Sequence, residues 1–324
     1  MPGIVRATVR YNVPDLSVPP EDRGLFSGPA HKYGEDVEVD LYDPATVPEI
    51  VQGPEGLDIQ GFTYVKHRSA LNTDEWLMGS NVEDIYVPEI QDLVRQVTGA
   101  RNVIVNHLGI RKRLTANNND PTFYRKKGDK HDDAVKKLTE QDRPWVNGRQ
   151  DAGLEPARFA HCDYTLQGLK RTARHCRRDI AAAAQEALDA EDKQTVPKRY
   201  AAYSVWRPIK PVERDPLAVA DWRTTSAETL VPIEYRATSN VLESGEYMLE
   251  QVTQSPKAKD SGQKWYCKTD QTPDDVLILK FADTASERDL KMAAGCVHCS
   301  PVLDGVGDDV EPRMSVEARV MAFW

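Results

Sequence analysis

His161 and Asp163 stand two residues apart in RFAHCDYT (158–165), directly ahead of a long helical pattern. Strand side chains alternate with period two, so an imidazole and a carboxylate at this spacing point to one face. Such a pair is either an exposed polar edge or two donors to a shared ligand. The chain has seven histidines from which a third donor could come. His31 and His67 fall in a loop-rich stretch, His131 in a charged one, and His175 beside an apolar helical stripe, where it reads as solvent-facing. His107, in VIVNHLGI, sits on a plausible strand, and His298 lies in AAGCVHCSP just before a turn-rich loop. A lone strand histidine is more often a core residue than a ligand. The interest of His298 comes from the residues downstream of it.

Fifteen positions beyond His298, Arg313 begins a run in PRMSVEARVMAFW where alternation puts Ser315, Glu317, Arg319, Met321 and Phe323 on one face. Two arginines and a serine aligned with Met and Phe do not describe a simple core strand. A guanidinium at a pocket wall binds both oxygens of a carboxylate in a charge-assisted fork; the same residues would also suit an edge strand with ordinary surface charges. Two histidines and one carboxylate with open positions form the facial triad of non-haem Fe(II) oxygenases. That triad leaves room for a bidentate 2-oxo acid and for dioxygen, and a neighbouring arginine would anchor the far carboxylate of the acid. The cluster CVHC (296–299) suggests zinc, but no second ligand pair stands at zinc-finger spacing.

The elements that must position these residues are partly legible. The first ~60 residues, rich in Pro, Gly and Asp, read as an extended, loop-heavy arm around a core. DIYVPEIQDLVRQVTG (84–99) reads as a short amphipathic helix, and RNVIVNHLGIR as the strand after it. The polar segment 114–153 reads as a surface insertion of the length at which loops act as lids. After RFAHCDYT, Leu166, Leu169, Ala173, Cys176, Ile180, Ala184 and Leu188 recur at helical steps and predict one long helix. Its basic run KRTARHCRRD reads as a solvated face. From Arg199 onward, short strand patterns separated by turns predict a β-sandwich or barrel. The expected fold is α+β, mainly β: a jelly roll (double-stranded β-helix) buttressed by helices, in a single domain over 1–324, with the arm at 1–60 and the core at 61–324.

The 324 residues carry a formal charge of −9, which argues against nucleic acid or an anionic membrane as the main partner. No apolar run approaches the ~18 residues of a bilayer span. Five cysteines in no regular framework favour reduced thiols and the cytoplasm. Oligomeric state leaves no signal.

The order H-x-D, a long β-rich interval, a distal His and then R-x-S resembles the Fe(II)/2-oxoglutarate-dependent dioxygenases. More narrowly, the chain resembles their fungal branch that includes gibberellin GA4 desaturase and the AsaB-type hydroxylase/desaturases, with CmcJ-like proteins as relatives. The likeness rests on TGARNVIVNH (98–107), RFAHCDYT, VWRPIKPVERDPLAVAD (205–221), KWYCKTDQTPDDVLILKFADT (264–284), GCVHCSPVLD (295–304) and PRMSVEAR (312–319). One H-x-D is weak; six ordered blocks are specific.

The resemblance implies that His161, Asp163 and His298 bind Fe(II), and that Arg313 and Ser315 hold the 2-oxoglutarate C5 carboxylate, with Arg319 as the fallback. It implies C–H abstraction on a small-molecule secondary metabolite or amino-acid-derived intermediate, with 2-oxoglutarate and O2 giving succinate and CO2. An aspartate at 163, where related halogenases carry a small residue, points to hydroxylation, desaturation or ring closure. Independently of the resemblance, Met321 and Phe323, which share the Arg319 face, are the expected substrate contacts, and Arg207 would pair a substrate carboxylate or equally serve a structural ion pair under the barrel. Two departures are Cys162, where the branch has valine, and Ser204, where it has asparagine. By alternation Cys162 should face away from the metal, whereas Cys296 shares the parity of His298. Two other classes compete: a cupin-like metal-dependent isomerase or hydrolase that needs no 2-oxo acid, and a non-catalytic binding barrel.

Overall fold

Near the amino terminus, alternating residues in Ile4–Asn12 and Gly34–Tyr42 pair antiparallel over nine positions as β1 and β2. The computed structural model describes residues 4–13, 34–112, 142–147 and 156–324. His31, His131 and most of the 114–153 segment, with its reading as a lid, lie outside the described residues. Within them, the loop-heavy arm expected over 1–60 is corrected. Ala7, Val9, Tyr11 and Leu41 are buried, and this apolar face draws the pair into the main sheet as true strands.

The remaining elements, in chain order, begin with α1 (Gly56–Ile59), β3 (Phe62–Lys66), α2 (Val87–Thr98), β4 (Asn102–Lys112), β5 (Trp145–Asn147) and β6 (His161–Cys162). Then come α3 (Leu166–His175), α4 (Arg178–Asp192), β7 (Tyr200–Pro208), β8 (Ala218–Ala220), β9 (Leu230–Thr238) and β10 (Glu246–Gln254). The chain ends with β11 (Trp265–Tyr266), β12 (Asp275–Asp283), β13 (His298–Cys299), β14 (Val302–Leu303) and β15 (Met314–Phe323). Among the described residues the strands make two sheets, ordered β14-β1-β2-β11-β8-β13-β6-β10-β9 and β3-β12-β7-β15-β4-β5. They face each other as a jelly roll.

Period-two alternation sorts side chains into three apolar layers. Trp206, Val219, Tyr266, Leu277, Phe281 and Met321 fill the space between the sheets, where α3 and α4 also bury their apolar stripes. Tyr203, Val205, Val316 and Ala318 point to the other face of the six-stranded sheet, beneath α2. Ala7, Val9, Ala218 and Trp265 form a third layer outside the nine-stranded sheet. The start of α2 carries a proline, and Gly99 at φ +73° closes its end. Burial of Ile90, Leu93 and Val94, worth roughly 2 kcal/mol each, holds a helix of a length that is marginal alone.

The single long helix expected after RFAHCDYT is two. Arg177 leaves helical geometry (φ −145°, ψ 142°), and its buried guanidinium reaches the Val105 and Asn106 carbonyls at 3.1 and 3.2 Å. Those carbonyls mark a register shift between β4 and β15: Val320 pairs with Val105 and Arg319 with His107, leaving Asn106 as the extra residue. A bulge of this kind turns the following side chain to the opposite face. The helix break and the bulge satisfy one another.

Candidate metal centre

Two-residue strands β6 and β13 lie side by side, and His161 and His298 are direct cross-strand partners. Antiparallel partners project to the same face, so their ring centroids stand 4.4 Å apart. Asp163 follows β6 with the expected parity. The segment after it is clamped to β10: the Thr165 backbone N–H and hydroxyl donate to the Glu250 carbonyl and carboxylate at 3.1 and 2.5 Å. Thr165 also caps α3 by accepting the Gly168 N–H at 2.9 Å. A Cβ at position 168 would stand 2.0 Å from the Glu250 carbonyl oxygen, so only glycine lets the helix approach this closely. The helix thereby fixes the chain carrying Asp163.

One donor atom from each of His161, Asp163 and His298 falls within a mutual 4.8 Å, the single such cluster among the described residues. Each Nδ1 meets a backbone carbonyl: Phe159 O at 2.7 Å for His161 and Cys296 O at 3.0 Å for His298. A carbonyl only accepts, so each Nδ1 carries a proton and each Nε2 points inward. Burial, reinforced by the neighbouring His298, pushes the His161 imidazole down to about 4, keeping it neutral near pH 7.

Asp163 is 3 % exposed. Burial alone would raise its carboxyl, but the Arg319 guanidinium and the two imidazoles outweigh it and hold it ionised well below the usual range. Arg319 Nη2 donates to Oδ1 at 2.8 Å, whereas the buried Oδ2 has no hydrogen-bond partner and lies 3.5 Å from His298 Nε2. Nε2 and Oδ2 face each other here, and a proton or a metal cation between them satisfies both. Two imidazoles and one carboxylate suit Fe(II) by donor type, and the cradle fits such an ion.

Beside this cluster the interior face of the six-stranded sheet is polar. The guanidinium of Arg313, 3 % exposed, lies over Trp206 at 5.2 Å from the ring centroid. Its Nη1 donates to the Asp215 backbone carbonyl at 2.6 Å and to Ser300 Oγ at 3.4 Å, neither of which is a carboxylate. Its Nε and the Ser315 hydroxyl are buried without partners. Burial first, and then the nearby Arg111, lower Arg313 to about 9 against the opposing pull of Asp215 and Glu317. Arg319 donates to two carboxylates, Asp163 and Glu317, the latter at 3.4 Å. Its place is thus beside the His161–Asp163–His298 cluster, apart from the Arg313–Ser315 end.

Arg207 is corrected. It follows Trp206 on β7 and so points to the opposite face, where it donates to the His67 and Pro273 carbonyls at 2.9 and 2.7 Å and lies 5.5 Å from the Tyr86 ring. A groove of about 390 Å³ adjoins it there, on the side of the sheet away from His161 and His298. Met321 and Phe323 do face inward but are spent in packing: Met321 is fully buried, and Phe323 stacks on Tyr200. Cys162 is buried with its Sγ 3.3 Å from the Phe281 carbonyl. Cys296 and Cys299 enter different layers, so CVHC gathers no zinc set.

The sequence reading gave no role to three further residues. His107, Arg111 and Glu317 line the inner face with Arg319 and Ser315, as the β4–β15 register dictates. Burial and the adjacent Arg319 push His107 down to about 3, so it too is neutral. For Glu317 the alternation from Arg313 was the available signal. For His107 there was none, because the bulge at Asn106 sets its direction.

Residues 51–323 match the family described as oxidoreductase/YMDC permease-like domain. The chain is 27 % identical to oxidoreductase chry3 of Gibberella zeae, over 90 % of this chain and 91 % of that protein. It is 30 % identical to the gibberellin cluster GA4 desaturase of Gibberella fujikuroi, over 83 % of this chain and 82 % of that one. Among solved structures, the iron and α-ketoglutarate-dependent endoperoxidase NvfI shares the fold, with a TM-score of 0.64 at 21 % identity, over 100 % of this chain and 99 % of that one.

Proposed function

The chain belongs to the oxidoreductase/YMDC permease-like family, among the relatives of the fungal hydroxylase/desaturases, and from that premise we propose that His161, Asp163 and His298 hold Fe(II) while Arg313 and Ser315 anchor 2-oxoglutarate. The protein is an Fe(II)/2-oxoglutarate-dependent dioxygenase acting on a small molecule. One observation carries the assignment of residues: a buried carboxylate oxygen of Asp163, without a hydrogen-bond partner, lies 3.5 Å from His298 Nε2 in the same cluster as His161. Fe(II) bound there supplies oxidising power drawn from O2 and 2-oxoglutarate, with release of succinate and CO2, for attack on an unactivated C–H bond.

The chain's own residues prepare that chemistry. The Phe159 and Cys296 carbonyls fix the tautomer and rotation of the two imidazoles, so no reorganisation is needed when the ion arrives. Arg313 Nε and Ser315 Oγ offer two unused donors to the remote carboxylate of a 2-oxo diacid, and the Trp206 ring backs the guanidinium. A cupin-like isomerase or hydrolase would need no such anchor, and a non-catalytic barrel would need no metal. The test is succinate release from 2-oxoglutarate by the Fe(II)-loaded protein under O2. Formation of succinate that falls away in Arg313→Ala at limiting 2-oxoglutarate supports the assignment, and unchanged 2-oxoglutarate dependence in that variant refutes the anchor.

No described helix is long and apolar enough to cross a membrane. The five cysteines are unpaired, which supports the cytoplasmic placement. Ligands drawn from the first sheet and anchor residues from the second support reading the chain as one oxygenase domain.

A further inference from the structure

We propose that Arg319 and Glu317 are positioning residues for the metal: Glu317 aims the Arg319 guanidinium, which occupies one oxygen of Asp163 and leaves the other as a single-oxygen ligand. This rests on the reading that Asp163 binds the ion, and it moves Arg319 from a spare 2-oxoglutarate anchor to a different task. The short contact is Arg319 Nη2 to Asp163 Oδ1 at 2.8 Å. Behind it, Arg319 Nε faces Glu317 Oε1 at 3.4 Å, and Glu317 is itself approached by Ser204 Oγ and Arg111 Nη2, both at 3.5 Å. The guanidinium also lies over the Phe281 ring at 5.8 Å, and that ring stacks on His298 at 5.8 Å with a 20° interplanar angle. One side chain therefore touches a carboxylate ligand directly and the wall behind a histidine ligand.

A free carboxylate offers a divalent ion either one oxygen or two. A charge-assisted bond to Oδ1 opposes the two-oxygen mode and turns Oδ2 toward the histidines, leaving the rest of the ion's sphere to exchangeable ligands. The buried setting makes the pairing matter, because Asp163 has little water with which to replace the guanidinium. The bulge at Asn106 belongs to the same device: it sets the register that places Arg319 opposite His107 on the inner face.

The experiment uses the full-length protein stripped of metal by chelator, with Mn(II) as a redox-inert probe titrated by electron paramagnetic resonance. Asp163→Ala serves as the control for the underlying metal site. Arg319→Met is expected to raise the Mn(II) Kd about 10- to 100-fold, Arg319→Lys to recover part of that loss, and Glu317→Gln to raise it several-fold. Combining Glu317→Gln with Arg319→Met should add nothing further, since Glu317 acts through the arginine. Loss of binding in Asp163→Ala together with wild-type Mn(II) affinity in Arg319→Met, or in Arg319→Lys and Glu317→Gln should Arg319→Met fail to fold, overturns the positioning role alone. Wild-type Mn(II) affinity in Asp163→Ala would instead overturn the metal site beneath it. An unchanged Mn(II) Kd with a raised 2-oxoglutarate Kd in the arginine variants would return Arg319 to the anchor role and so defeat the proposal.

Discussion

Arg207 on β7 and Arg313, directly before the neighbouring β15, are almost equally buried, at 1 % and 3 % exposed, yet they serve opposite faces. Arg207 spends its Nη atoms on the His67 and Pro273 carbonyls and the His67 imidazole, stitching two loops behind the sheet. Arg313 meets a carbonyl and a hydroxyl, retains an unused Nε, and stands beside an unused serine hydroxyl on the inner face. Burial alone does not separate them. Both leave Nε buried without a partner; what separates them is that Arg207 has both Nη atoms engaged and Arg313 only Nη1, beside the unpartnered Ser315 hydroxyl, and strand parity decides which face receives them.

Breaking the inner face should cost function first. His161→Ala, Asp163→Ala and His298→Ala should each abolish turnover, and each should remove the rise in Tm that Fe(II) or Mn(II) gives the wild type by binding only the folded state. Turnover retained in any of the three, measured by succinate release, would reopen the ligand set. Arg313→Ala should weaken 2-oxoglutarate binding by roughly 2–4 kcal/mol, or about 30- to 700-fold in KM, while metal affinity stays near wild type. A KM within twofold of wild type would contradict the anchor.

On the outer face the order reverses. Arg207→Ala strands buried carbonyls and should lower stability by about 2–3 kcal/mol in denaturant melts, with the KM for 2-oxoglutarate unaltered. A large KM effect at unchanged stability would draw the outer face into the site. The smallest effect belongs to Cys162→Ala, which trims a buried sulfur held against the Phe281 carbonyl. About 1 kcal/mol of stability should go, with kcat and KM held; a drop in kcat of tenfold or more would mean that the alternation through RFAHCDYT is misread.

The inner face was legible in the sequence wherever regular alternation governs it. Period two in RFAHCDYT aligned His161 with Asp163, and the same period from Arg313 aligned Ser315, Glu317 and Arg319. It failed where a local irregularity intervenes. Asn106 adds one residue to β4 and turns His107 inward, and nothing in VIVNHLGI distinguishes that from an unbroken strand. Arg177 breaks a helix whose apolar steps run on without interruption, because a tertiary demand, two carbonyls at the bulge, outweighs local propensity. Arg207 was assigned by residue type in place of parity. The apolar residues Met321 and Phe323 carried the right parity, yet their place along the strand sets them in the packed core under α4.

The proposed ligand set is tested most directly by anaerobic titration of the apoprotein with Fe(II) and 2-oxoglutarate, following the weak visible charge-transfer band of the chelate. The wild type should develop the band to saturation, Arg313→Ala should require far more 2-oxoglutarate to reach it, and His298→Ala should fail to develop it. A band of wild-type intensity and affinity in His298→Ala would contradict the account.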